Sequence, residues 1–445
     1  MSKKLFPIIL GCQMNLSDFE WLSGMLADEY DITANQNEAD LIIITSCSVR
    51  EKAANRLFAT LNRLAVLKAN NSQLIVAVTG CLAQELGHNF FKESSVADIV
   101  VGTKALPAFK EILAEFIKTE RRQVNIDNEG DYDQLNVRRG SGVTAYVAIM
   151  RGCDNSCSYC IVPSLRGSEE SRDINTILSD IKLLEQNNTK EVWLLGQNVN
   201  SYGRGSKNGA DFPNLLKRIA TETTIPWIRF ITSHPKDLSD ELIDVMATYP
   251  SICPSIHLPL QSGSNRILKR MKRGYTIEQY SQKIAKLRNA IPDITITSDF
   301  IVGFPGETSS DHKSTLDAIV QLSFHSIYLF IYSKRSNTLA ASYTDSVPAE
   351  LSKERFQEIW NLQKEQYGHR LDNFIGRNEV VLIEGASKKG GNSYNMRLAN
   401  NIKGIVQLES DFTDQFISVT IKGKEKGRLI GKLIVQDSPY LSNLV

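Results

Sequence analysis

Three continuously apolar runs open the chain, and each ends at a cysteine: Pro7-Ile-Ile-Leu-Gly-Cys12, Ala39-Asp-Leu-Ile-Ile-Ile-Thr-Ser-Cys47 and Leu74-Ile-Val-Ala-Val-Thr-Gly-Cys81. Runs without polar alternation mark strands covered on both faces, as in a parallel sheet. Helical patterns follow, as in Ser48-Val-Arg-Glu-Lys-Ala-Ala-Asn-Arg-Leu-Phe58. The cysteines recur at about the length of one βαβ unit. Residues 1–135 are therefore expected to form a parallel α/β domain.

Strand and helix alternate again after the acidic run Asp127–Asp133 and a linker over Leu135–Val143. Strands are expected at Ala145–Met150, Glu191–Leu195, Trp227–Ile231, Ser255–Leu260, Thr295–Val302 and Ser326–Tyr332, with helices such as Asn175–Asn187 and Ile277–Ala290 between them. This predicts a partial (β/α)6 barrel over 144–370, with its function at the carboxyl ends of the strands. The charged stretch Leu351–Phe374 reads as a long helix packed on that barrel. Beyond Asn378, short strands at Val380–Glu384, Ile405–Leu408, Phe416–Ile421 and Leu429–Val435 are split by Gly, Asn and Asp. They predict a small barrel of about five strands over 374–440. The fold class is α/β: a parallel α/β domain, a partial barrel and a small all-β barrel.

This order of elements has a geometric consequence. The carboxyl ends of parallel strands share one edge, where ligands bind. Cys12, Cys47 and Cys81 can meet there despite their separation, near helix N-termini that favour an anionic group. Burial as core residues suits one cysteine better than three at equivalent places. At the barrel's strand ends stand Gly196-Gln197-Asn198, Thr232-Ser233-His234, Gln261-Ser-Gly-Ser264, Gly303-Phe-Pro-Gly-Glu307 and Ser333-Lys-Arg335. Taken together, and against simple turn chemistry, they mark Gln197, Asn198, Ser233 and Gln261 as candidate contacts of a nucleotide-like cofactor. His234 and His257 read at least as well as packed, hydrogen-bonded histidines as they do as catalysts, and Cys253 reads as a core cysteine.

The remaining signals come from composition and spacing. A length of 445 residues implies two or three domains. An apolar content of 42% with 23% charged residues is that of a water-soluble chain. No apolar run has the length of a bilayer span, and the N-terminus lacks the features of a secretory signal, so a cytoplasmic protein without membrane contact is expected. The net charge of +1 carries no global nucleic-acid signature. Local candidates for RNA contact are Lys388-Lys389, Lys422-Gly-Lys-Glu-Lys-Gly-Arg428, and Tyr394, Met396 and Arg397 for stacking and phosphate binding, although a solvated loop reads the module equally well. An odd seven cysteines argues against a disulfide framework.

The densest chemistry is Cys153-Asp-Asn-Ser-Cys157-Ser-Tyr-Cys160. A cubane iron–sulfur cluster has four irons, and three thiolates leave one open. An open coordination position is where a metal centre does chemistry. Zinc is disfavoured because Cys157-x2-Cys160 has no paired C-x2-C or His mate. The spacing points to a catalytic [4Fe-4S] cluster.

This C-x3-C-x2-C loop resembles that of the radical S-adenosylmethionine enzymes. The fuller set resembles the methylthiotransferases, and among them the type acting on N6-isopentenyladenosine in tRNA. The motifs that carry the resemblance are Gly11-Cys-Gln-Met-Asn15, Thr45-Ser-Cys-Ser-Val-Arg-Glu-Lys-Ala53, Ile149-Met-Arg-Gly-Cys153, Leu194-Leu-Gly-Gln-Asn-Val-Asn200, His257-Leu-Pro-Leu-Gln-Ser-Gly263 and Ile301-Val-Gly-Phe-Pro-Gly-Glu-Thr308. The resemblance implies two [4Fe-4S] clusters, an auxiliary one on Cys12, Cys47 and Cys81 and a radical-generating one on Cys153, Cys157 and Cys160, with S-adenosylmethionine at the latter. It implies methylthiolation of C2 of the adenosine at tRNA position 37 and a C-terminal TRAM-like domain. The implied partners are the anticodon stem-loop, a low-potential electron donor such as flavodoxin or ferredoxin, and a sulfur donor, with the enzyme a monomer. Ser164-Leu-Arg-Gly-Ser168 and Lys334-Arg-Ser-Asn-Thr338 depart from the family's wording. Rival readings are a sister enzyme acting on threonylcarbamoyladenosine or a ribosomal protein, a non-catalytic RNA-binding iron–sulfur sensor, and a zinc scaffold.

Overall fold

The computed structural model describes residues 2–48, 51–127, 130, 137–140, 142–205 and 210–434. The expected domain limits at 135 and 440, Val435, and parts of the acidic run and linker lie outside these residues.

The first unit is a six-stranded parallel sheet in the order β2-β1-β3-β4-β5-β6. Its strands are β1 (Lys3–Leu10), β2 (Tyr30–Ile32), β3 (Leu41–Ser46), β4 (Ile75–Gly80), β5 (Ile99–Val101) and β6 (Gln123–Asn125). β3 is buried throughout and divides its side chains between two layers. Leu41 and Ile43 pack with Leu22 and Phe109, and Ile42 and Ile44 with Leu57 and Leu61 on the other face. This two-sided burial is why the run is continuously apolar. The three-residue strands β2, β5 and β6 are too short to leave such a pattern.

The central unit has the strands β7 (Thr144–Ala148), β8 (Met150–Arg151), β9 (Glu170–Ser171), β10 (Glu191–Leu195), β11 (Trp227–Ile231), β12 (Ser255–His257), β13 (Thr295–Val302) and β14 (Ser326–Ile331). β7, β10 and β11 form one parallel sheet, and β12, β13 and β14 a second. A parallel bridge between Ile228 and Ile252 and one shared hydrophobic core join the two sheets into an open barrel. The helix Ala349–Asp372 buries Ile359 and Leu371. β8 and β9 form a small antiparallel ribbon beside the cysteine loop.

The last unit is a closed five-stranded barrel of β15 (Asn378–Ala386), β16 (Ser393–Leu398), β17 (Lys403–Gln407), β18 (Phe416–Glu425) and β19 (Arg428–Leu433). β16 carries Met396 and Arg397, and the structure corrects their expected role. Met396 is fully buried in the barrel core. Arg397 donates to Glu191 in β10 at 2.5 and 2.7 Å and to Glu384 in β15 at 2.6 Å. Arg229 in β11 donates to the same Glu191 at 2.5 Å. Burial raises the Glu191 carboxyl, but hydrogen bonds from Arg397 and the charges of both arginines outweigh it and hold the pKa at about 2. Arg397 therefore joins the small barrel to the central one, with its guanidinium committed to Glu191 and Glu384.

Candidate active site

The register of the first sheet places Leu10, Ser46 and Gly80 side by side at the carboxyl ends of β1, β3 and β4. Cys12, Cys47 and Cys81 follow these three positions by one or two residues. Cys12 leads into the helix Gln13–Met25, and its backbone N–H donates to Asn15 Oδ1 at 3.2 Å. Asn15 is buried, and its Nδ2 donates to Ser46 O at 3.3 Å. Ser46 Oγ donates to Thr79 O at 3.3 Å, so a chain of hydrogen bonds ties the three strand ends together. Gly80 has φ of 97°, and a Cβ there would lie 2.5 Å from Ser46 O. Only glycine permits this close approach.

The second set lies on the loop after β8. Cys153 N donates to Gly167 O at 3.1 Å, and Cys160 N donates to Cys157 O at 3.1 Å. Ser158 N donates to Met271 O at 3.0 Å and Ser158 Oγ to Arg270 O at 2.9 Å, fastening the loop to the end of the helix Asn265–Arg270. Burial pushes the Cys160 thiol up to about 12, and the neighbouring Cys157 and Cys153 add to the rise. The three thiols line a cleft of about 450 Å³. Cys157 Sγ accepts from Arg273 Nη1 at 3.2 Å and lies 4.0 Å from His234 Nε2. Burial, then the charge of Arg273, lowers the His234 pKa to about 2, so its ring is neutral. His234 is buried as expected, yet it faces a candidate ligand.

The barrel strand ends hold the other predicted residues. Gln197 Oε1, Ser233 Oγ and Gln261 Oε1 are buried with no hydrogen-bond partner among the described residues. Both side-chain polar atoms of Asn200, which the sequence analysis did not single out, share this condition. Thr232 and Gln261 hold φ of 73° and 77°. Such conformations cost about 1–3 kcal/mol each and collect at functional sites. Asn198 is employed differently. Its Nδ2 donates to Asp237 Oδ2 at 2.7 Å and its Oδ1 accepts from His234 N at 3.1 Å, so it positions the neighbouring loop.

Two arginines escaped the sequence analysis. Arg166, on the helix Val162–Arg166 after Cys160, reaches into the first unit and donates to Asp18 Oδ2 at 2.7 Å. Burial raises the Cys81 thiol, and Arg166 opposes this by charge and hydrogen bond. Thr103 Oγ1 donates to Leu165 O, and Cys81 shares an apolar cluster with Ile161 and Leu165. The two cysteine sets thus adjoin across this contact. In sequence, Ser164-Leu-Arg-Gly-Ser168 shows only a departure from the family's wording. Arg273 lies 116 positions from the cysteine it touches.

The donor chemistry fits cubane clusters: three thiols per set, with no fourth cysteine at either set among the described residues. Among the described residues no group of three His, Cys, Asp or Glu could hold a single metal ion. A cubane asks for something wider, because each thiolate binds a different iron. The orphaned Gln197, Ser233 and Gln261 atoms are what a polar nucleoside cofactor would satisfy.

A second cavity, of about 750 Å³, lies inside the open barrel. Tyr146, Trp193, Phe230 and Tyr328 line it, with Gln13 beside Cys12 and with Lys403 and Arg428 from the small barrel. His257 belongs to this wall, with Nε2 3.3 Å from Asp299 Oδ2 and Nδ1 2.9 Å from Thr297 Oγ1.

Comparison with known proteins decides the family. The Radical SAM superfamily matches residues 147–319, and the uncharacterized protein family UPF0004 matches residues 4–102. A tRNA-2-methylthio-N(6)-dimethylallyladenosine synthase of Caldicellulosiruptor saccharolyticus is 43% identical over 97% of this chain and 93% of its own length. The chain belongs to this synthase family. A synthase of the same name from Francisella tularensis subsp. novicida is 40% identical over 97% of this chain and 99% of its own. Among solved structures, the radical S-adenosylmethionine methyltransferase TsrM of Kitasatospora setae shares the fold, with TM-score 0.56, 14% identity and coverage of 74% of this chain and 73% of its own. Within the synthase family's chain, the UPF0004 segment carries Cys12, Cys47 and Cys81, and the Radical SAM segment carries Cys153, Cys157 and Cys160.

Proposed function

We propose that this chain adds a methylthio group to C2 of N6-isopentenyladenosine at position 37 of tRNA. The observation that carries the reading is the junction of two three-thiol sets across the Arg166–Asp18 contact, one at the carboxyl edge of the first parallel sheet and one on the loop after β8. Similarity to the synthases over nearly the whole chain supports the choice of substrate over the sister enzymes and the non-catalytic sensor.

Cys12, Cys47 and Cys81 hold the auxiliary cluster, and Cys153, Cys157 and Cys160 the radical cluster. When bound, the two [4Fe-4S] clusters and S-adenosylmethionine supply the carbon radical and the sulfur that acid–base groups cannot provide at an unactivated C2–H. Gln197, Ser233 and Gln261 orient S-adenosylmethionine, and Asn198 holds the loop beside it. The aromatic wall of the barrel cavity suits a flipped base and its apolar prenyl group. Lys403 and Arg428, both exposed, bind backbone phosphates of the anticodon stem-loop there. The electron donor is a low-potential protein such as flavodoxin or ferredoxin, a separate sulfur donor restores the auxiliary cluster, and the enzyme works as a cytoplasmic monomer.

Anaerobic reconstitution should load roughly eight irons and eight sulfides per chain. Product analysis on isopentenylated tRNA, threonylcarbamoylated tRNA and ribosomal protein should show methylthiolation of the first alone. Cys157→Ala should abolish 5′-deoxyadenosine formation while keeping the N-terminal cluster. A wild-type yield of deoxyadenosine in that variant would overturn the assignment.

A further inference from the structure

Two N–H groups converge on the sulfur of Cys157, and neither belongs to its loop. Arg273 Nη1 donates to Cys157 Sγ at 3.2 Å, and His234 Nε2 lies 4.0 Å away. Arg273 is 4% exposed, and its other two nitrogens also donate to protein groups. Nε donates to Tyr275 OH at 2.9 Å, and Nη2 donates to Pro259 O at 2.8 Å. The Tyr275 hydroxyl lies 2.9 Å from Leu260 O, to which it donates. The main chain is fixed as well, with Arg273 N donating to Leu268 O at 3.0 Å. The planar guanidinium fork therefore has its direction set by two protein anchors, and its third arm ends on the thiol. His234 Nδ1 accepts from Lys236 N at 3.2 Å, which leaves the ring proton on Nε2, facing the same sulfur. Cys153, by contrast, accepts from the neutral amide of Asn155 at 3.4 Å.

We propose that Arg273 is a tuning and positioning residue that raises the reduction potential of the radical cluster and directs its charge stabilisation to Cys157. The inference rests on the reading of Cys153, Cys157 and Cys160 as ligands of that cluster. Reduction adds one electron, and so one unit of negative charge, to the cluster, while the donor protein is oxidised by one electron. Arg273 stays protonated throughout, and no proton moves. A buried positive charge next to a ligand sulfur stabilises the more negative state, because the surroundings screen it poorly. An N–H group donating to that sulfur draws charge away from it in the same direction. His234 adds its Nε2–H, which faces the same sulfur. The consequence is a cluster that a low-potential donor can reduce before S-adenosylmethionine is cleaved.

The test is a redox titration followed by electron paramagnetic resonance. It uses the full-length chain carrying Cys12→Ala, Cys47→Ala and Cys81→Ala, so that only the radical cluster titrates. Adding Arg273→Gln should lower the reduced-to-oxidised ratio at a fixed potential at least tenfold, a shift of about 59 mV for one electron. Tyr275→Phe, which keeps the charge but releases one anchor, should shift the potential in the same direction by less. Arg273→Lys should recover part of the loss. A merely structural arginine would reduce the amount of cluster without moving its potential, and an unmoved potential in Arg273→Gln overturns the proposal. Should Arg273→Gln bind no iron, Tyr275→Phe decides: a lowered potential supports the proposal, and an unchanged one overturns it. A parent variant that binds no cluster, although the wild-type chain does, overturns the ligand assignment, a failure distinguishable from that of Arg273.

Discussion

Arg166 and Asp18 stand 148 positions apart and form a buried ion pair, Nη2 to Oδ2 at 2.7 Å. Arg166 comes from the helix that follows the second cysteine set, and Asp18 from the helix that follows Cys12. The pair therefore fixes the two thiol sets relative to each other. Removing one partner leaves a buried charge unmatched, which costs about 3–5 kcal/mol. Asp18→Asn and Arg166→Leu should each lower the denaturation midpoint and uncouple 5′-deoxyadenosine formation from methylthio transfer. Variants that retain wild-type coupling would show that the contact does not set the geometry between the clusters.

The left-handed backbone at Gly80 leads to a second expectation. Its φ of 97° and the 2.5 Å approach to Ser46 O leave no room for a methyl group. Gly80→Ala should destabilise the chain by about 1–3 kcal/mol and lower iron content at the N-terminal set. Urea denaturation with iron analysis measures both, and a change in stability below about 0.5 kcal/mol, the size of ordinary surface effects, would refute it.

Cofactor binding and stability should move in opposite directions at Gln261. Its amide oxygen is buried without a partner among the described residues, and its φ is 77°. Gln261→Gly keeps the backbone shape, relieves strain and removes the amide. The melting temperature should hold or rise while S-adenosylmethionine binding weakens. Ser233→Ala should weaken binding by about 0.5–1.5 kcal/mol, the worth of one hydrogen bond. Calorimetric titration of the reconstituted protein tests both, and unchanged affinity in both variants would remove these residues from the cofactor site.

The junction of the two barrels should be acid-sensitive through Glu191. Arg397 and Arg229 hold its carboxyl at about 2, below the ordinary value of 4.5. A carboxyl lowered on folding contributes stability that is complete above the unfolded value and is lost as pH falls towards the folded one. The stability difference between the wild-type chain and Glu191→Gln should therefore be constant above pH 4.5 and shrink between pH 4.5 and about 2. A difference independent of pH across that window would show that the ion pairs do not act through charge.

The sequence by itself determined what is local. Continuous apolar runs specified β1, β3 and β4, because strands buried on both faces admit no polar alternation. Spacing alone singled out Cys153, Cys157 and Cys160, since ligands on one short loop are bound to be neighbours. The parallel order of β1, β3 and β4 was also enough to bring Cys12, Cys47 and Cys81 to one edge. Only tertiary structure decided which side chains surround these sulfurs. Arg166 and Arg273 reach their partners across 148 and 116 positions, and nothing in their own segments marks them. The same holds for Arg397, which looked like a phosphate ligand until the small barrel docked and set it against Glu191, 206 positions away. A charged side chain's role depends on the charge that burial places opposite it, and that pairing is a property of packing rather than of local pattern.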